Sequence, residues 1–125
     1  MLNRIFKLGL IGFFVLAITS VFTSCEKEKA TIAVIIVKNS NNQVVPNADV
    51  RLFPDHTLSP SGNYPSPSLS KKHKTDASGR AEFTYDLEAI LNIEVTKVDG
   101  NSTYTGVNIV RLLKGEIVTK VVEIN

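Results

Sequence analysis

Few side chains in this 125-residue chain could do covalent or acid–base chemistry, and they are scattered. Cys25 is the one cysteine, in the stretch Val21-Phe22-Thr23-Ser24-Cys25-Glu26-Lys27-Glu28-Lys29. A lone thiol could serve as nucleophile, metal ligand, half of an intermolecular disulfide, apolar filler or modification site. His56 and His73 are the two histidines, and a Ser-His-Asp triad would need one of them held firmly against a serine. With Asp55 and Asp76 they supply metal-ligand types, but at a spacing that matches no zinc motif, so no metal or cofactor is expected. Tyr64, Tyr85 and Tyr104 are the candidate stacking residues, each joining a planar apolar face to a hydroxyl. Tyr85 shares an alternating run with Phe83 and is expected in the core. That leaves Tyr64, His56 and Tyr104 as candidate binding residues, and the catalytic set empty.

The surroundings of Cys25 narrow its chemistry. Residues 1–7 carry Arg4 and Lys7 and no acid, and residues 8–22, LGLIGFFVLAITSVF, carry no charge. This is the charged n-region and apolar h-region of an export signal. About fifteen apolar residues fall short of the ~20 that span a bilayer core as a helix. Phe22-Thr23-Ser24-Cys25 resembles the bacterial lipobox, with Phe22 where Leu is more common. That resemblance implies a signal peptide over 1–24 and a Cys25 whose sulfur is consumed by diacylglyceryl and whose new N-terminus is acylated, palmitate among the acids. Each buried methylene contributes about 0.8 kcal/mol, and two or more chains anchor stably. Residues 25–29 then form a short tether to the membrane. Glu26 and Glu28, interleaved with Lys27 and Lys29, are an equivocal form of the acidic surface-export cue of Bacteroidetes-type lipoproteins. The expected place is the cell envelope, at the outer membrane.

Charge excludes one partner class. Of 14 Lys and Arg, two precede the apolar run; without them twelve bases face twelve acids. A neutral domain lacks the attraction that phosphate backbones need, and nucleic acid is not expected as a partner. Lys71, Lys72 and Lys74 form the one basic cluster, and it reads as a solvated edge.

The elements that must position these residues are strands. From Ala30 there is no 3.6-residue periodicity; runs rich in Val, Ile, Thr, Tyr and Phe alternate with turn signals. Strands are predicted over 31–39, 48–54, 71–75, 79–86, 90–99, 102–113 and 116–125. The first, TIAVIIVKN, is nearly all apolar, as for a strand covered on both sides or in a sandwich core. Val50 and Leu52 share a face, as do Leu91, Ile93, Val95 and Lys97, the lysine marking an exposed end. Asp99-Gly100 and Lys114-Gly115 mark turns. Four of the five prolines fall in 54–70, which reads as a long exposed Pro/Ser loop carrying His56 and Tyr64. The prediction is an all-β, about seven-stranded, two-sheet Greek-key sandwich over 30–125.

Val45-Pro46-Asn47-Ala48-Asp49-Val50, then Thr75-Asp76-Ala77-Ser78-Gly79-Arg80-Ala81-Glu82-Phe83, resemble the transthyretin-like sandwiches called carboxypeptidase regulatory-like domains. There the pattern is Pro-x-Ala-x-Val, then Thr-Asp-x-x-Gly-x-x-x-Phe; the long loop departs from it. The resemblance implies an Ig-like or transthyretin-like sandwich and an accessory role, and fold alone names no activity. Related hydroxyisourate hydrolases carry a first-strand His, a second-strand Arg and a Tyr-Arg-Gly-Ser ending. Here only Arg51 matches. Related adhesin sandwiches form Lys–Asn isopeptide bonds, for which Lys38 and Asn108 are conceivable partners.

The expectation is a non-enzymatic envelope lipoprotein that binds or scaffolds a protein or glycan. The alternatives are a small envelope hydrolase or hydrolase subunit, and an inhibitor acting through loop 54–70.

Overall fold

A computed structural model of the chain describes residues 27–54 and 69–125. Cys25, His56 and Tyr64, and almost all of the long loop, lie outside them. Seven strands follow in chain order: β1 (Thr31–Asn39), β2 (Asp49–Pro54), β3 (Lys71–Lys74), β4 (Arg80–Tyr85), β5 (Ala89–Asp99), β6 (Ser102–Leu112) and β7 (Ile117–Ile124). Each lies within one residue of its predicted bounds. They form a three-stranded sheet, β4-β1-β7, and a four-stranded sheet, β3-β2-β5-β6. No helix of the described residues is long and apolar enough to cross a membrane.

Period-two alternation builds the core. β4 alternates exposed and buried at every residue, sending Ala81, Phe83 and Tyr85 inward. Ala33, Ile35 and Val37 of β1 meet Val50 and Leu52 of β2, Leu91, Ile93 and Val95 of β5, and Val110 and Leu112 of β6 in one apolar cluster. Burying one such side chain contributes roughly 1.5–3 kcal/mol. The outward face of β1 is apolar too: Ile32 and Ile36 are half-buried, and Val34 is buried between its register partners Glu82 and Thr119. No second layer among the described residues covers it.

β1 pairs antiparallel with β4 and parallel with β7. At the other side of the sandwich β6 and β7 converge, Thr105 and Asn125 exchanging both backbone hydrogen bonds at 3.1 Å. Asn108 Nδ2 donates to the Val121 carbonyl at 2.9 Å along the same seam. Gly106 allows this approach, since a Cβ there would collide with the Glu123 carbonyl and lie 3.0 Å from the Ile124 and Val122 side chains. The β3–β4 side is closed by side chains. Lys71 donates to the Thr84 carbonyl and lies over the Tyr85 ring, and the His73 ring meets Phe83 edge-on at 4.7 Å. A lysine along a strand edge also blocks pairing with another chain.

Candidate functional site: a cleft at one pole

The sandwich has two poles. Thr31, Tyr85 and the 113–116 turn lie at one, which we term the N-terminal pole. The 39–48 loop, the 75–79 turn, the 99–102 hairpin and Asn125 lie at the other. β1 runs between them, and its nine residues span about 27 Å at ~3.3 Å per step.

The second pole is held by a clamp whose members fall in two stretches of the chain, 45–50 and 75–83. Thr75 is 5% exposed; its Oγ1 accepts from the Ala48 amide at 2.8 Å and donates to the Val45 carbonyl at 2.8 Å. The backbones add Thr75 N to Ala48 O at 2.9 Å and Asn47 N to Thr75 O at 3.0 Å. Asp76 Oδ1 accepts from Ser78 N at 2.8 Å and Arg80 N at 3.1 Å, an Asx turn that starts β4. Gly79 closes that turn at φ 69°, and a Cβ there would lie 2.9 Å from the Val37 carbonyl and from Val44 Cβ. Ala48, Val50 and Phe83 are core residues. The residues of both stretches are thus occupied in structure.

On this clamp sits a cleft of about 520 Å³. Tyr104, 41% exposed, lines it opposite its cross-strand partner Lys97, with Val45 and Ile124 as apolar lining and Asp99, Asn41 and Asn125 as polar lining. Asn39 contributes rigidity: its Oδ1 accepts from the Asn41 and Gln43 amides at 3.0 Å each, and its Nδ2 donates to Gln43 Oε1 at 3.2 Å. Asn42 and Asn47 take positive φ, 62° and 55°, which asparagine tolerates better than most residues. Gly100 opens the two-residue hairpin at φ 58° between Asp99 and Ser102.

Lys97 differs from its sequence reading as an exposed end. It is half-buried, and its Nζ donates to the Pro46 carbonyl at 3.0 Å and the Asn47 carbonyl at 3.3 Å. The loop carbonyls it bonds lie 51 and 50 residues away along the chain, so no local pattern could reveal them. An ammonium has three donors, and among the described residues one remains for another acceptor. Of the candidate binding residues Tyr64, His56 and Tyr104, only Tyr104 lies among the described residues. Lys38 donates to Asn42 Oδ1 at 3.0 Å while Asn108 bonds Val121, so that pair does not meet. No group of three metal-ligating side chains occurs among the described residues.

A shallower depression of about 400 Å³ lies on the outer face of the four-stranded sheet, over Phe53, Asn92, Val107 and Ile109. Arg51 stacks on Phe53 at 4.7 Å beside it, and Glu94 is Arg51's register partner on β5. Its walls are single side chains on a sheet surface, whereas the pole cleft is built from the loop after β1 and the ends of β5, β6 and β7.

Fold and site together define an all-β two-sheet sandwich with a polar-lined cleft at one pole. No family model and no curated protein sequence matches the chain. Among solved structures it is similar to catechol 1,2-dioxygenase from Acinetobacter sp. ADP1, inhibited by bound mercury, at 15% identity and TM-score 0.42, over 68% of this chain and 37% of that one. It is also similar to chlorocatechol 1,2-dioxygenase from Pseudomonas putida, at 12% identity and TM-score 0.44, over 82% and 64%. The chain thus spans less than two thirds of either protein, and likeness at this level assigns no residue a role.

Proposed function

We propose that the protein is a non-enzymatic, lipid-anchored module of the bacterial cell envelope, a carboxypeptidase regulatory-like sandwich that contacts its partner through the pole cleft. One observation carries the reading. The cleft and Thr31, which follows Cys25 by six residues, are at opposite ends of β1. A sandwich tethered through Cys25 holds the cleft about 27 Å or more beyond its attachment point, facing away from the outer membrane. The lipobox-like Phe22-Thr23-Ser24-Cys25 supports the anchor, and the balanced charge beyond Lys7 supports a protein or glycan partner over nucleic acid.

Two measurements test it. Cys25→Ser is expected to abolish palmitate labelling and move the protein out of the outer-membrane fraction; unchanged labelling and fractionation refute the anchor. A photo-crosslinking residue at Asn41 is expected to trap an envelope partner that the same residue at Glu94, on the outer sheet face, does not. Equal capture from both positions removes the cleft from the reading.

A further inference from the structure

We propose that the pole cleft binds a neutral saccharide of one or two sugar rings, an inference that rests on the cleft being the contact surface. Size comes first. About 520 Å³ lies within the roughly 300–1,000 Å³ of small-ligand sites. The cleft is lined by nine residues, against the roughly 20–30 a side that a stable protein interface uses.

Chemistry narrows the class. A sugar ring presents an apolar C–H face and a girdle of hydroxyls that both donate and accept. Tyr104 offers a planar apolar surface with a hydroxyl at its edge, beside Val45 and Ile124. Asp99 accepts from hydroxyls, the Asn41 and Asn125 amides do both, and the remaining Lys97 donor meets an ether or hydroxyl oxygen. Lys97 and Asp99 are the two charged side chains lining the cleft and are opposite in sign. A uronic acid or sulfated sugar gains nothing net from the lysine with the carboxylate beside it, so neutral ligands are selected.

The frame is held before any ligand arrives. Two of the three Lys97 donors are spent on the Pro46 and Asn47 carbonyls, in the turn whose flanks Val45 and Ala48 the Thr75 hydroxyl holds, and Asn39 Oδ1 accepts from the Asn41 backbone N–H. A prepared frame lowers the ordering cost of binding.

The test uses the full chain in nanodiscs, titrated by calorimetry and saturation-transfer NMR with neutral hexose and N-acetylhexosamine mono- and disaccharides. Hexuronic acid and sulfated disaccharides are the charged probes. Neutral sugars are expected to bind saturably, with Tyr104→Ala weakening them about tenfold and Asp99→Asn severalfold. Val107→Thr, on the outer sheet face, is expected to leave affinity unchanged. Tighter binding of the charged sugars, absence of saturable neutral binding, or indifference to both cleft variants overturns the proposal. Absent sugar binding with an Asn41 crosslink retained removes the saccharide alone; loss of both removes the cleft reading as well.

Discussion

Thr75→Val isolates the clamp that builds the second pole. Valine matches threonine in shape, so the substitution leaves the packing and deletes one hydroxyl. That hydroxyl makes two 2.8 Å hydrogen bonds, from the Ala48 amide and to the Val45 carbonyl. Ala48 is fully buried, so its amide is left without that acceptor, at about 1–3 kcal/mol. Losing the bond to Val45 adds about 0.5–1.5 kcal/mol, and the more apolar methyl offsets a few tenths. The net expectation is a loss of about 2–3 kcal/mol. For a domain of this size that lowers Tm by on the order of 10–20 °C. The measurement is urea unfolding of a soluble version beginning at Glu26, followed by circular dichroism. The midpoint should fall with the slope unchanged, the sign of a stability change alone. Thr75→Ser keeps the hydroxyl and should cost less, about 1 kcal/mol for a methyl group. A Val variant as stable as the wild type, or a Ser variant less stable than the Val, would show that the hydroxyl does not hold the pole together.

Gly106→Ala places a Cβ against the Glu123 carbonyl, so β6 and β7 must separate; a loss of about 3 kcal/mol or more is expected by thermal unfolding, with an unchanged Tm refuting the close seam. Burial raises the Tyr85 phenol to about 12. The native state then keeps its proton between pH 10 and 12 while the unfolded chain loses it, so stability should fall across that window by at most about 1.4 kcal/mol per pH unit, less where solvent screens the phenol, and Tyr85→Phe should lack this slope. Around Asp49 partial burial raises the carboxyl, but the hydrogen bond from Lys74 and the charges of Lys72 and Lys74 outweigh it and hold the group below its ordinary 3.8. Its contribution is present above that pH and lost as pH falls through the lowered value. Because Lys72 and Lys74 are well exposed, Asp49→Asn should cost at most about 1 kcal/mol at neutral pH in the same urea assay.

The strand content was legible residue by residue. Ala81, Phe83 and Tyr85, or Leu91, Ile93 and Val95, occupy every second position, and alternation is a property of a single strand, dictated by the pleat without reference to partners. The turns were legible for the same reason: Gly79, Gly100 and Gly115 sit where the backbone takes positive φ, a requirement of the local chain. The apolar run of β1 was legible as a strand, but its sequence could not say which of its two apolar faces the core cluster of the described residues would take.

The pole cleft was not legible, although Tyr104 was singled out. Its frame joins Asn39, Lys97, Tyr104 and Asn125 from four strand ends, and the bonds that support it, Thr75 to Ala48, Thr75 to Val45 and Lys97 to Pro46, link residues 27, 30 and 51 apart. Contacts of that kind depend on which strands become neighbours. The parallel pairing of β1 with β7 and the crossing of β6 onto β7 at Gly106 decide this, and neither leaves a periodic trace in the chain. What the sequence determined by itself is whatever one strand or turn needs locally: the seven strands, their inward faces and their turns, along with the balance of bases and acids beyond Lys7. Sheet order and register are set by the joint packing of all seven inward faces, and only that packing turned Lys97 from a strand end into the bolt of a loop.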